Sequence, residues 1–411
     1  MSDNAIDYIA LAANIKQWGE DLGFAQVGIT DVDLSLHEPA LLSWLDNNYH
    51  GSMDYMARHG LMRARPQELV PGTIRVISAR MNYLPTNAQF AVTLKKKDHA
   101  YISRYALGRD YHKLMRKRLK QLGTKIKAHC EELNFRPFVD SAPILERPLA
   151  QKAGLGWIGK HSLVINKNAG SWFFLGELLV NIPLPCDDDL TVESPQEQPQ
   201  NLCGSCVSCL KICPTGAIVE PYVVDAKRCI SYLTIESKEA IPEALRPLIG
   251  NRIYGCDDCQ LICPWNKFAP LSVEDDFQPR QDFDHISLLT LFAWNETQFL
   301  DKTEGSPIRR IGFQSWQRNI AVALGNAAYS AEIVKVLTLQ LAHSESMVAE
   351  HITWALTEQV KKKNFIDITL DATLEGSINK ITNGSPQYKE VNQRLTGRLI
   401  RSIEKGLPRD A

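Results

Sequence analysis

Neither sign of charge dominates this chain. Its 411 residues carry 46 Lys and Arg against 47 Asp and Glu, a formal net charge of −1. That excludes a protein coated in basic residues but says nothing of local patches. No apolar run approaches the length of a membrane span. The opening Met1-Ser-Asp-Asn-Ala-Ile-Asp-Tyr8 has no basic n-region, no apolar core and no twin arginine. A cytoplasmic protein with no membrane association is expected.

Three cofactor signatures are also missing. Gly154-Leu-Gly156-Trp-Ile-Gly159-Lys160-His161 matches G-x-G-x-x-G, but a helical pattern precedes it where the dinucleotide fingerprint needs a strand. The same stretch fails as a P-loop, because His161 stands where a magnesium-binding Ser or Thr is required. Asp110-Tyr-His112 begins the D-x-H-x-x-G signature of cobalamin mutases, but Met115 replaces its glycine. What survives is a glycine-rich turn, which lets backbone approach a large ligand closely.

Cysteine is what the chain has, and it is concentrated. Eight of the 10 cysteines lie between Cys203 and Pro264. The run Cys203-x-x-Cys206-x-x-Cys209-x-x-x-Cys213-Pro214 has the ligand spacing of a bacterial ferredoxin. Cys256-x-x-Cys259-x-x-x-Cys263-Pro264 is the same signature without its leading cysteine, which the isolated Cys229 can supply. In two-cluster ferredoxins the last cysteine of each run serves the other cluster. Cys203, Cys206, Cys209 and Cys263 are therefore assigned to one [4Fe–4S] centre, and Cys213, Cys229, Cys256 and Cys259 to a second. A zinc ribbon or a disulfide framework would not explain two C-x-x-x-C-P endings. Cys130 and Cys186 fall outside the pattern and are expected to be buried.

Around this element the length and the 44% apolar content support two or three domains. Residues 1–185 read as an α/β domain: a helix through Leu11, Ile15, Trp18 and Leu22, strands near Phe24–Ile29 and Val76–Tyr83, and a lysine-rich helix from Arg109 to Leu133. A strand Arg136–Asp140 then ends at an acid, and a helix start follows at Ser141; Ser171–Val180 reads as a buried strand or strand pair. In open α/β sheets ligands gather beyond the carboxyl ends of strands, where Asp140 would sit; its alternative role is a helix N-cap. Residues 186–270 form the ferredoxin-like module, and residues 271–411 read as an all-α, HEAT-like domain. The last helix places Arg394, Arg398, Arg401 and Lys405 on one face.

Clusters move single electrons and break no bonds alone. A large N-terminal domain with a glycine turn and an acid at a strand end is the natural acceptor's home.

Phe138-Val-Asp140-Ser-Ala-Pro-Ile-Leu-Glu146-Arg147-Pro148, the Gly154–His161 turn, Arg228-Cys229-Ile-Ser231-Tyr-Leu-Thr-Ile-Glu236 and Tyr254-Gly-Cys256-Asp257-Asp258-Cys259-Gln-Leu-Ile-Cys263-Pro-Trp265-Asn266 together resemble the epoxyqueuosine reductases over essentially the full length. The resemblance implies cobalamin in the N-terminal domain and two [4Fe–4S] clusters. It implies removal of the epoxide oxygen from epoxyqueuosine at the tRNA wobble position, with Asp140 as proton donor. That role requires a raised carboxyl pKa, which burial beside a corrin would provide. It further implies corrin contacts from Arg63, Lys160, His161 and Ser231, with Asp257 and Asp258 close to the second cluster and its acceptor. Lys238, the Arg109–Lys127 helix and the Arg394, Arg398, Arg401 face become candidate tRNA anchors. An external low-potential electron donor and a monomer are expected. The alternatives are a reductive dehalogenase-like enzyme acting on a small organohalide, or a ferredoxin-type electron-transfer subunit.

Overall fold

The structure, a computed structural model, describes residues 6–86, 90–187, 202–374, 394 and 397–401. Helix α1 (Tyr8–Asp21) starts where the Asp7 carboxylate accepts the N–H groups of Ile9 and Ala10, both at 3.0 Å. It buries Leu11, Ala12 and Ile15, and the chain leaves it through Gly23 at φ +85°. Strands β1 (Gln26–Thr30) and β2 (Arg75–Asn82) follow, then helix α2 (Tyr111–Lys127), strand β3 (Phe135–Phe138), helix α3 (Glu146–Lys152) and strand β4 (Phe173–Val180).

The four strands form one sheet in the order β1-β2-β4-β3, and every pairing is antiparallel. Helices and strands do alternate, but the α/β expectation needs correction: this is an α+β layer, and the rule about carboxyl ends of parallel strands does not apply to it. The central pair, β2 and β4, is mostly apolar and almost entirely buried, because α2 covers one face and α3 the other. Two boundaries also differ from the sequence reading. The strand before Asp140 ends at Phe138, and α3 begins only at Glu146, capped by no side chain. Asp140 is therefore not the N-cap of that helix.

Helix α2 buries Tyr111, Met115, Leu119, Leu122 and Ile126 against the sheet and leaves Lys113, Arg116, Lys117 and Lys120 exposed. It is shorter than the Arg109–Leu133 pattern suggested, since Asp110 caps it by accepting the His112 N–H at 3.1 Å.

A second apolar core joins residues from distant parts of the chain. Ala100, Ile102, Ala106 and Leu107 leave the first sheet region and pack with Ile230, Leu233, Ile253 and the C-terminal helices α4 (Gly312–Asn326), α5 (Ala331–Leu341) and α6 (Ser346–Leu374). Arg318 on α4 is fully buried and donates to the carbonyls of Leu233, Ser237 and Glu239, tying these helices to the segment after Cys229. The described part of the last helical segment returns to the first core instead: Leu399 is fully buried there and Ile400 packs against it. Cys130 and Cys186 are both buried. No helix among the described residues is long and apolar enough to cross a membrane.

Candidate active site

Two cavities divide the eight cysteines. The smaller, about 60 Å³, is lined by Cys203, Cys206, Cys209 and Cys263. The larger, about 790 Å³, has Cys213, Cys229, Cys256 and Cys259 on its wall. The division follows from the folding of each run. The short helices Ser208–Ile212 and Asp258–Leu261 pack against each other, so the cysteine ending each run crosses to its neighbour's side. Among the described residues no three His, Cys, Asp or Glu side chains close around a single ion; the thiols instead ring these two spaces. Burial raises the Cys259 thiol well above its ordinary range, and the neighbouring Cys213 and Cys229 add to that. Thiols packed this way become thiolates only with a positive centre among them.

Asp257 and Asp258 hold the second cysteine run in place. Asp257 is buried and accepts hydrogen bonds from Tyr101 Oη (2.8 Å), Ser103 Oγ (2.5 Å) and the Arg104 N–H (3.0 Å). Asp258 forms a two-pronged ion pair with buried Arg252 at 2.8 and 2.7 Å. Both line the large cavity, but their carboxylates are taken up by protein groups.

The remaining sequence candidates separate. His161 and Ser231 line the large cavity; Arg63 and Lys160 do not. Arg63 is buried and donates to the carbonyls of Tyr55 (2.8 Å) and Met56 (3.2 Å). Lys160 reaches toward the small cavity, where its ammonium donates to the carbonyls of Gly204 (2.6 Å) and Cys206 (3.0 Å) and so braces the first cysteine loop. Lys238 donates to the Ile311 carbonyl at 2.7 Å. Arg394, Arg398 and Arg401 are exposed; Lys405 lies outside the described residues.

The glycine turn works differently from expectation. A Cβ on Gly156 would lie 2.2 Å from the Ile165 carbonyl oxygen, and one on Gly159 would lie 2.5 Å from Ile165 Cδ1. Gly156 and Gly159 are needed by the small hairpin that pairs Trp157–Ile158 with Val164–Ile165. What the turn delivers to the cavity is His161. Its Nδ1 accepts the Leu163 N–H at 3.1 Å, which leaves the proton on Nε2, and that atom is buried without a partner. Burial pushes this imidazole down to about 4, so it is neutral.

Asp140 projects into the large cavity with 59% of its side chain exposed there. Its backbone is left-handed, at φ +58°, a strained state that Asp tolerates better than most residues. The turn is closed by Ser141 N–H to the Val139 carbonyl (2.6 Å) and by the Asp140 N–H to Glu146 Oε1 (2.6 Å). The carboxylate accepts from Tyr111 Oη at 2.7 Å and faces His112 Nε2 at 3.4 Å. Tyr111 is fixed by stacking on Phe174, ring centres 3.7 Å apart, and His112 stacks on Tyr111. Surrounding atoms push the Asp140 carboxyl up, but the hydrogen bonds of His112 and Tyr111 outweigh them and hold it below the ordinary value. The raised carboxyl expected of a proton donor is not found on Asp140. A cavity partner whose pKa is raised is His112: burial opposes its charge, but hydrogen bonds to Asp110 and Asp140 lift it to about 9.

His112, Tyr111, Arg310 and Glu236 are cavity residues that sequence reasoning missed as a site. Arg310 pairs with Glu236 and acts electrostatically on Asp140. The signal for His112 was present: Asp110-Tyr-His112 opens a helix, where a cap and an N-terminal histidine face the same direction.

A double cysteine module beside a cavity that carries a carboxylate–imidazole pair defines a class, a redox enzyme built on iron–sulfur clusters. The comparisons agree. A family model described as "4Fe-4S double cluster binding domain" matches residues 202–266, and one described as "Epoxyqueuosine reductase QueG, DUF1730" matches residues 63–141. Epoxyqueuosine reductases of Escherichia coli and Vibrio cholerae are 60% and 57% identical over 406 residues, covering 99% of this chain and 99% and 100% of theirs. The chain belongs to the epoxyqueuosine reductases, oxidoreductases of tRNA modification. Two solved structures at 25% identity cover 96% of this chain and 99% of their own. One is a selenomethionine-labelled epoxyqueuosine reductase (TM-score 0.76), the other an epoxyqueuosine reductase with an epoxyqueuosine-modified tRNA-Tyr stem loop (TM-score 0.75). A third, from Bacillus subtilis (25% identity, TM-score 0.74), has its catalytic aspartate loop swung out of the active site and covers 94% of this chain and 98% of its own.

Proposed function

We propose that this protein reduces epoxyqueuosine to queuosine at the wobble position of tRNA, and that the epoxide oxygen leaves in the large cavity. One observation carries the reading: Cys213, Cys229, Cys256 and Cys259 and the Asp140–His112 pair face the same 790 Å³ space. Electrons and protons are thereby brought to one substrate. The relative solved with an epoxyqueuosine-modified stem loop supports tRNA as that substrate.

The residues fit the groups that the reaction requires. Two sets of four cysteines suit two [4Fe–4S] clusters. The large cavity suits cobalamin, with walls of Leu41, Trp44, Leu163 and Val164, the unpaired N–H of His161 and the hydroxyl of Ser231 at the start of the π-helical turn Tyr232–Glu236. When bound, the clusters supply single electrons from an external donor, and cobalamin supplies the centre that delivers them to the epoxide.

The chain's own residues handle the protons. His112 carries one at neutral pH and shares it with Asp140, whose carboxylate lines the cavity; Asp140 passes it to the leaving oxygen. Tyr111 and the Glu146 contact hold the carboxylate in its left-handed turn. Asp257, Asp258 and Lys160 act behind this site, fixing the loops that present the cysteines, and Arg63 braces the Tyr55–Met56 backbone. On this reading residues 1–185 form most of the cofactor cavity, 186–270 the cluster module, and 271–411 complete the wall through Pro307 and Arg310. The protein works as a cytoplasmic monomer.

The exposed cations of α2 and the Arg394, Arg398, Arg401 face are the tRNA anchors. Arg116 reaches Ser141 Oγ at 3.5 Å, so α2 places positive charge beside the turn that carries Asp140. Lys238 is a lesser anchor because its ammonium is already engaged. The test is queuosine formation from epoxyqueuosine-containing tRNA by the cluster-loaded protein with a chemical reductant. Turnover that requires cobalamin is expected; turnover without it would overturn the assignment of the cavity.

A further inference from the structure

Glu146 and Glu177, a pair of carboxyl groups behind Asp140, move no proton in the scheme above. Glu177 lies on β4 at the middle of the sheet, opposite Ser78 of β2 and Phe138 of β3, and is fully buried. Ser78 Oγ reaches its Oε1 at 3.4 Å, and its Oε2 has no donor. The Glu146 carboxyl, at the start of α3, faces this one, and its Oε1 accepts the Asp140 N–H at 2.6 Å. Two ionised carboxylates are acceptors only and repel each other. A contact between them holds only when one carries a proton, which also satisfies the otherwise orphaned oxygen of Glu177. The charged and titratable groups facing the pair are Asp140, Tyr111 and Arg147, and the Arg147 guanidinium is turned to the Ser162 carbonyl.

We infer that Glu146 and Glu177 store one shared proton behind Asp140 and supply it to the Asp140 carboxylate during turnover. The inference rests on the proposed proton-handling role of Asp140. Releasing the epoxide oxygen as water consumes two electrons and two protons. The oxygen takes both protons by way of Asp140: the first comes from His112, and the Glu146–Glu177 pair supplies the second, passing from one shared proton to none. Glu146 is only half-buried, and the pair regains its proton from water when product leaves. Burial supports this storage, pushing the Glu146 carboxyl up to about 7 and the Glu177 carboxyl well above its ordinary range, with Asp140 adding to both.

Glu146→Gln separates storage from simple bracing. The amide oxygen still accepts the Asp140 N–H and its NH₂ still donates to Glu177, but no proton can be shared. The protonated-carboxyl infrared band of the resting protein should titrate near neutral pH and be lost in Glu146→Gln. The kcat of this variant should fall about tenfold or more, with an unchanged KM for tRNA and without the neutral limb of the pH–rate profile. Glu177→Gln should do the same. A wild-type protein without that band, or a Glu146→Gln variant with wild-type kcat and pH profile, would overturn the inference. If Glu177→Gln does not fold, Glu146→Gln decides alone. If the wild-type protein fails to turn over epoxyqueuosine, the proposed function falls, while the infrared arm still decides whether the pair shares a proton.

Discussion

His112 Nε2 lies 3.4 Å from Asp140 Oδ2, while Nδ1 of the same ring lies 2.6 Å from Asp110. An imidazole held between two carboxylates keeps its proton. With its pKa raised from 6.5 to about 9, the ring is charged throughout the neutral range.

Its contribution to stability should therefore be fully present below pH 6.5 and vanish as pH rises through about 9. We expect an alkaline limb near that value in both the rate profile and the thermal midpoint. His112→Gln should remove both limbs and lower stability at pH 7 but not at pH 10. A variant as pH-sensitive as the wild type would show that another group titrates there.

The crossed cysteines make a second prediction. Cys263→Ser should abolish the cluster it shares with Cys203, Cys206 and Cys209 and leave about half of the iron, as should Cys203→Ser. Cys213→Ser should spare that cluster and damage the one held with Cys229, Cys256 and Cys259. Electron paramagnetic resonance of the reduced variants distinguishes the cases. Matching spectra for Cys213→Ser and Cys203→Ser would mean that each run keeps its own cluster.

The Arg252–Asp258 pair is almost fully buried on both sides, 2% and 4% exposed. Removing one partner strands the other charge in the interior, which costs about 3–5 kcal/mol. Asp258→Asn should destabilise the protein by that order in urea denaturation and loosen the Cys256 loop, since the Cys256 thiol lies 3.4 Å from the same carboxylate. A change below about 1 kcal/mol would place the pair among ordinary surface bridges.

Charge reversal at Arg398 and Arg401 should weaken tRNA binding and reduce the slope of log Kd against log salt by roughly one for each phosphate that is no longer neutralised. Unchanged affinity and slope would assign that face to solvent alone.

The cysteine element was legible because ligand spacing is a local property of sequence, and the apolar runs of β2 and β4 were legible for the same reason. The antiparallel order of the sheet was not, since buried central strands have the same composition in parallel and antiparallel sheets. The glycines of the Gly154–His161 turn looked like ligand-binding residues, whereas their neighbours across the Val164–Ile165 hairpin strand, close in space, explain them. Asp140 was found through a motif, but its electrostatics depended on His112 and Tyr111, more than twenty residues earlier, and on Arg310, far along the chain. Arg63 and Lys160 show the converse: a cation in the right stretch of sequence can be consumed by backbone carbonyls.

On the proposed reading, bond-breaking belongs to Asp140 and the cavity it faces, and the cysteines are the route by which electrons arrive. The most direct measurement is single-turnover queuosine formation by Asp140→Asn in protein loaded with both clusters and cobalamin. Asn tolerates the left-handed turn and keeps the cofactors, so cluster and corrin spectra should match the wild type while the rate falls by about 10²-fold or more. Wild-type turnover in that variant would contradict the assignment of Asp140.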